Sequence, residues 1–519
     1  MGDKGVASLY SSEARDNRFT FVNMADTDDE ELHRILVAVE NGENIILHGP
    51  GGTGKSYKLR EIAENLTAQG KWVCCTATTG VAALNLNVPE KKIAATTLHS
   101  WAGVGLAQGV AKKLYAKVYH DEQAKKRWLY TDVLILDEVS MLGADLFDKL
   151  DYIGRNIRLE KEKPFGGLQL ILSGDFLQLP PVKDEWAFKS FAWKEMPLVP
   201  FIFETPKRYD DEAYFELLLR VREGKQTRED VKKLRARVRA HQKLQKILEK
   251  TESMNVIKPT ILYSRRVDVD YYNEQELEKL PGRTMEYVAD DTFTAFNGNA
   301  RYDHYIRLLD DAMPKAVPLK VGAQVMLKCN LDVKGGLVNG SRGVILEMNP
   351  EDVYVRFING KKLIVKKHTW TIEDKDGKAS RSQIPFILAW ALTIHKAQGA
   401  TLDYAICDLG PSVFAPGQAY VALSRVRNLK GLFICEFYTP SIKVNKTALR
   451  YARQLKAMEE EYLSTRAAKE YEANSEDEAD GDSDVEIEIE DSEDEDVSAS
   501  VPITNFEAVL NFIDSEEED

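Results

Sequence analysis

No stretch of the chain approaches the roughly 18 consecutive apolar residues that a membrane helix needs, and the opening MGDKGVASLYSSEARDNRF lacks the apolar core of a signal peptide. The expectation is a soluble intracellular protein, nuclear or cytoplasmic, with no membrane partner. Cysteine is scarce: five in 519 residues, with Cys74 and Cys75 adjacent and Cys329, Cys407 and Cys435 scattered. The odd number and the lack of any Cys-x-x-Cys pair argue against a disulfide framework or a zinc site, so reduced core residues are expected. From Glu470 to Asp519 there is no lysine or arginine at all, against 22 acidic residues; removing these from the formal net charge of −14 leaves +8 on residues 1–469. A basic folded part with an acidic appendage is the charge asymmetry of a nucleic-acid-binding core. With 44% hydrophobic residues the chain can fold, and its length suggests about three domains.

What the chain does contain, directly after the apolar run Ile45-Ile46-Leu47, is Gly49-Pro50-Gly51-Gly52-Thr53-Gly54-Lys55-Ser56, of the form G-x-x-x-x-G-K-[ST]. The glycines let consecutive backbone N–H groups point at phosphate oxygens, Lys55 reaches the outer phosphates and the Ser56 hydroxyl suits Mg²⁺. The helix that follows adds its positive dipole end. A merely flexible turn is the alternative, and the strand-loop-helix setting speaks against it. Nucleotide binding is therefore assigned to Gly49, Gly51, Gly52, Thr53, Gly54, Lys55 and Ser56.

Alternating patterns then predict a parallel α/β sheet: helices over Asp28–Glu40 and Tyr57–Ala68, and a strand over Trp72–Ala77. The apolar strand Val133–Leu136 ends at Asp137-Glu138, delivering two carboxylates to the end of the sheet where ligands bind. Asp137 suits Mg²⁺ and Glu138 suits a base for the attacking water. A third strand, Leu168–Leu172, runs into Ser173-Gly174-Asp175-Phe176-Leu177-Gln178-Leu179-Pro180-Pro181-Val182, with Gln178 placed to feel a γ-phosphate.

The blocks Gly49–Ser56, Thr78–Ala83, Thr97–Ser100, Asp137–Met141 and Gly174–Val182 resemble the ordered motifs of a superfamily 1 helicase. Leu146–Leu150, Arg155–Arg158 and Pro164–Leu170 together resemble the signature segment of the petite-integration-frequency (PIF) helicase family, of subgroup B. The resemblance covers about residues 28–440. It implies an ATP-dependent 5′-to-3′ helicase on single-stranded DNA and duplex junctions, acting in replication, repair, recombination or telomere maintenance. The fold class it implies is α/β, with two RecA-like P-loop NTPase domains. The first spans 28–203, after a flexible 1–27. The second spans 204–295 and 386–440, interrupted by a small β-barrel over 296–385, where Asn359-Gly360 between Asp352–Phe357 and Lys361–Val365 reads as a hairpin. A helical extension, 441–469, precedes a disordered acidic tail, 470–519.

By the same resemblance Arg208, within Lys207-Arg208-Tyr209, reaches across the cleft to the γ-phosphate; a surface arginine at a helix start is the other reading. Arg425, in Gln418–Arg427, is a second arginine finger. Lys55, Glu138, Gln178, Arg208 and Arg425 thus form the catalytic set, with Ser56 and Asp137 for the metal. Leu392–Gly399 resembles the motif that touches DNA. The DNA-binding candidates are Thr78, Gly80, His99, Trp101, His395, Lys396 and Gln398, with Trp101 equally readable as core. The basic run Thr227–Lys250 reads more simply as a solvated helix than as a DNA contact.

Leu32 and His33 stand where family members usually carry an adenine-reading glutamine, so broad nucleotide use is expected. In the tail, Ser475, Ser483 and Ser492 each precede an acidic residue by three positions, and Val485–Ile489 alternates like a strand that adds to a partner's sheet. Phe506, Val509, Leu510 and Ile513 fall at helical spacing, which suits docking of a replication or repair protein; an unstructured end is the alternative. The active form is expected to be a monomer. A nucleotide-controlled grip on DNA without unwinding, and an RNA-tracking helicase, are the rival readings.

Overall fold

The computed structural model describes residues 30–86, 95–105, 107–250, 258–296, 300–329, 331–332, 337, 340–373 and 377–477. Residues 1–27, Ser483, Ser492, Val485–Ile489 and Phe506–Ile513 lie outside these. No helix among the described residues is long and apolar enough to cross a membrane. All five cysteines are free; Cys75, Cys329 and Cys407 are buried and the other two half-buried.

The first domain is built on six parallel strands: β1 (Ile45–His48), β2 (Val73–Ala77), β3 (Ala95–Thr97), β4 (Val133–Asp137), β5 (Gln169–Gly174) and β6 (Val199–Ile202). Their order is β3-β2-β4-β5-β1-β6. β1 and β4 are buried throughout, as a parallel sheet covered on both faces requires. Alternation then sorts their side chains into two layers. Ile46, Leu134 and Leu136 join the core that holds Trp101, Trp128 and Phe147. Ile45, Leu47, Val133 and Ile135 join Ile35, Val39, Leu59 and Ile62 on the opposite face. Helix Glu30–Glu40, with Leu32, Ile35, Leu36 and Val39 buried, follows the expected apolar spacing.

The second domain opens with helices Glu212–Glu223 and Arg228–Lys250 and the strand β7 (Thr260–Tyr263). An antiparallel insertion follows, comprising β8 (Met285–Val288), β9 (Asp290–Ala295), β10 (Ala316–Leu319), β11 (Gln324–Leu327), β12 (Arg342–Met348), β13 (Asp352–Phe357), β14 (Lys362–Lys366), β15 (His368–Glu373), β16 (Gly377–Gln383) and β17 (Phe386–Leu388). Its hydrogen bonding gives a five-stranded sheet, β14-β13-β12-β11-β17, a three-stranded sheet, β15-β16-β9, and the pair β10-β8. The turn between β13 and β14 holds Gly360 at φ 80, the left-handed geometry the Asn-Gly pair suits. The insertion is wider than the expected 296–385, because β8, β9 and β17 pair within it rather than with the parallel sheet. The chain then returns through β18 (Ala391–Thr393), β19 (Ala405–Leu409) and β20 (Leu432–Phe437), completing a parallel sheet of order β18-β7-β19-β20.

After the second domain the chain crosses back. Helix Lys446–Asp477 lies on the first domain, with Ala448 and Leu455 buried in its core. Tyr451 stacks on Phe188 at 4.1 Å and 14° and accepts a hydrogen bond from Trp193 Nε1 at 2.6 Å. The Glu459 carboxylate accepts from the Ile202 amide at 2.7 Å, occupying a donor on the sheet's edge strand β6. Replacing Tyr451 with alanine should destabilise the first domain by about 3 kcal/mol through lost aromatic packing, read as a lower midpoint in urea unfolding.

Candidate active site

The phosphate loop joins β1 to helix Lys55–Ala68. Gly52 and Gly54 sit at φ 87 and 90, where a side chain would be strained. A Cβ on Gly52 would also come within 2.8 Å of the Tyr209 ring and 2.9 Å of Arg208 Cβ, so the close approach of the segment Arg208–Tyr209 to the loop depends on glycine there. Lys55 is buried and its ammonium donates to Gly49 O at 2.7 Å and Pro50 O at 2.6 Å. Burial lowers its pKa to about 8, against the opposing pull of Asp175, Glu138 and Asp137.

Ser56 Oγ donates to Asp137 Oδ2 at 2.6 Å, and Asp137 Oδ1 accepts from Ser173 Oγ and the Glu138 amide, both at 2.8 Å. These bonds fix the carboxylate beside the loop. Glu138 stands in the left-handed region at φ 56, a strained geometry for a non-glycine residue and one that recurs at functional sites. Burial, and after it the neighbouring Asp137 charge, raise its pKa. A carboxylate with raised basicity next to a phosphate loop suits proton abstraction from water.

From the second domain, Arg425 enters almost fully buried, with Nε donating to Val421 O at 2.7 Å and Nη2 to Ser424 Oγ at 2.7 Å. Burial, then the neighbouring Arg208, lower its pKa to about 10. Arg208 Nη1 donates to Ser424 O at 3.2 Å. Lys55, Ser56, Asp137, Glu138, Gln178, Arg208 and Arg425 all line one cavity of about 250 Å³ between the domains. Leu32 and His33 do not line it; Leu32 is core, packed among Leu59 and Leu66.

The DNA-binding candidates divide. Thr78 Oγ1 donates to Glu138 O at 3.0 Å, so it braces the end of β4. Gln398, read as a DNA contact, is instead buried, and its Nε2 donates to Glu138 Oε2 at 2.9 Å across the domain boundary. Trp101, offered as a base partner, is core: 2% exposed and packed on Trp128 at 4.6 Å. Its apolar neighbours leave no path for a base. Gly80 and Lys396 are exposed, and His99 and His395 half-buried. His395 stacks with Phe414, which is 58% exposed.

Sequence reasoning missed the buried group behind the loop. Asp175 is fully buried and takes a two-pronged bond from Arg222, Nε at 2.9 Å and Nη2 at 2.8 Å. His48, at the end of β1, accepts the Phe176 amide at 3.4 Å through Nε2 and stacks on the Phe176 ring. Aspartate after Gly174 was visible, but nothing in sequence pairs it with an arginine 47 positions away. Burial lowers the His48 pKa to about 3, outweighing the Asp175 charge that pulls the other way. The unfolded chain takes up this proton near the ordinary value of 6.5, so the stability of the neutral imidazole is present above 6.5 and is lost as pH falls toward 3. His48→Asn should therefore remove about 2 kcal/mol of the destabilisation seen between about pH 7 and pH 5, measured as the difference in urea unfolding free energies.

Comparison with known proteins agrees with this geometry. The profile of the PIF1-like helicase family matches residues 25–232, and that of the DNA helicase Pif1 2B domain matches 310–348, inside the antiparallel insertion. The chain is 38% identical over 444 residues to the ATP-dependent DNA helicase PIF1 of Homo sapiens, covering 82% of this chain and 64% of that protein. It therefore spans just under two thirds of that relative. It is 31% identical over 429 residues to ATP-dependent DNA helicase Pif1 of Bdellovibrio bacteriovorus, covering 82% and 91%. Among solved structures, Pif1 helicase from Candida albicans matches with a TM-score of 0.69 at 33% identity, covering 82% of this chain and 99% of that one. Pif1 helicase from Bacteroides, in complex with ADP-AlF3 and single-stranded DNA, matches with a TM-score of 0.61 at 25% identity, covering 83% and 97%. With its phosphate loop, its paired carboxylates and its 2B insertion in this order, the chain belongs to the PIF1-like helicase family.

Proposed function

We propose that this protein is an ATP-dependent DNA helicase that moves 5′ to 3′ on single-stranded DNA and opens duplex junctions. One observation carries the reading: Lys55, Ser56, Asp137, Glu138 and Gln178 meet Arg208 and Arg425 around a single interdomain cavity. The Bacteroides relative, solved with ADP-AlF3 and single-stranded DNA, supports both ligands. Its work belongs to replication, repair, recombination or telomere maintenance, in nucleus or cytoplasm, as a monomer. The tail segment Phe506–Ile513 would dock a replication or repair protein, and a tail-deleted chain that keeps all partners in a pull-down would count against that.

The phosphate-loop amides and Lys55 hold the triphosphate. The Ser56 hydroxyl and Asp137 carboxylate, hard oxygen donors 2.6 Å apart, fit a Mg²⁺ ion. When bound, that ion neutralises charge on the phosphates. Glu138 takes the proton of the attacking water, Gln178 orients that water, and Arg208 and Arg425 stabilise charge on the transferred phosphoryl group. Both arginines come from beyond the first domain, so hydrolysis requires a closed cleft. Alternating grip by the two domains turns each closing and opening into a step.

Unwinding of 5′-tailed and 3′-tailed DNA and RNA duplexes tests this. The 5′-tailed DNA should open; Lys55→Ala should abolish unwinding, and Glu138→Gln should lower kcat by about 10²- to 10⁴-fold. DNA-stimulated hydrolysis without unwinding would support a nucleotide-controlled grip instead, and opening of RNA duplexes would support an RNA track. Because Leu32 is buried away from the cavity and His33 does not line it, GTP and ATP should be turned over at comparable rates. Strict ATP dependence in the same assay would overturn that expectation.

A further inference from the structure

Two tyrosines, Tyr420 of the second domain and Tyr209 of the connection that leads into it, hold the two peptide units that flank Gly51 in the phosphate loop. The Gly51 amide donates to the Tyr420 hydroxyl at 2.9 Å, and the Tyr209 hydroxyl donates to Gly51 O at 2.9 Å. Both backbone groups of that residue are thus taken by side chains from beyond the first domain. Tyr420 is 3% exposed and belongs to the second domain's core, where Tyr209 packs against the same cluster. Around Gly51 the Gln178 amide, the Arg425 guanidinium and the Tyr420 hydroxyl converge, at 3.3, 3.5 and 3.8 Å from where a Cβ would stand. The Tyr420 hydroxyl accepts from Gly51 and retains its own proton to give.

We infer that Tyr209 and Tyr420 are positioning residues that make the shape of the phosphate loop depend on the placement of the second domain, and so couple nucleotide binding to DNA binding. The inference rests on the helicase reading of the cleft. A loop binds phosphate through the direction of its backbone amides. Tyr420 lies in helix Gln418–Leu423, so its bond to the Gly51 amide transmits a shift of that helix to the loop, while Tyr209 holds the next peptide unit through Gly51 O. The same helix leads into Arg425, so the arginine and the loop move together. Linkage makes the effect reciprocal: nucleotide that fixes the loop also fixes the second domain, and with it the grip on the strand. The Tyr209 ring lying against Gly52 supplies the steric half of the contact.

Phenylalanine removes each hydroxyl and keeps each ring. In the full chain, single-stranded DNA affinity should be measured for the parent, Tyr209→Phe, Tyr420→Phe and the double variant, without nucleotide and with ADP plus aluminium fluoride. The ratio of the two dissociation constants reads the coupling, which a purely structural loss would not move. Expected is a ratio that falls about tenfold toward unity in the double variant, a smaller fall in each single variant, and only a small drop in Tm from the Gly51 N–H left unpaired. A double variant that keeps the parent's ratio would overturn the inference, whatever happens to its turnover. A parent protein that neither hydrolyses ATP nor binds single-stranded DNA would overturn the helicase reading, and the inference with it.

Discussion

Four cations, Lys55, Lys207, Arg208 and Arg425, line one cleft, and the cost of keeping them together shapes what surrounds it. Lys55 and Arg425 are each pushed toward deprotonation by burial, and Arg208 adds like charge beside Arg425. Carbonyl oxygens absorb part of the cost: Gly49 and Pro50 for the lysine, Val421, Ala397 and Ala400 for Arg425. Neutral acceptors satisfy hydrogen bonds without cancelling charge. A polyanion does both, so the cleft is complementary to a triphosphate before any ligand is considered.

A second set of charges is fully cancelled and has a different task. Asp175 and Arg222 pair in two-pronged geometry at no exposure for the acid and little for the base. Asp175 begins the loop that carries Gln178, whereas Arg222 closes a helix whose Tyr214 hydroxyl donates to Leu423 O beside Arg425. Losing either partner strands the other charge without water, a cost of about 3–5 kcal/mol. The pair therefore defines a fixed point between the loop of Gln178 and the helix of Arg425, while the cavity above it remains open.

Much of this was legible in the chain. The phosphate loop, Asp137-Glu138 and Gln178 are contiguous motifs at strand ends, where local geometry alone positions a side chain. The two layers of the first core follow from alternation in Ile45–Leu47 and Val133–Leu136. What was not legible depends on partners far apart in sequence. Trp101 looks identical as a base platform or as core until Trp128 is set against it. Gln398 sits in a motif that resembles DNA-touching segments, yet its amide finds a carboxylate 260 positions away. The insertion's edges were misplaced because β8 and β9 alternate like any strand, and only pairing with β10 and β16 assigns them.

The return of the chain to the first domain has a mechanical consequence. The domains are joined once between Ile202 and Glu212, and again between Phe437 and Lys446, where the long helix begins. The second connection is held at the end of helix Glu212–Glu223 remote from the first: the Gly417 amide donates to Lys443 O at 2.9 Å, Val444 packs at Gly224, and Arg453 pairs with Glu223 at 3.8 Å. A body attached at two points cannot swing freely about either one. The helix anchored by Tyr451 and Glu459 thus gives the second domain a second tether to the first, which the single connection between Ile202 and Glu212 would not supply.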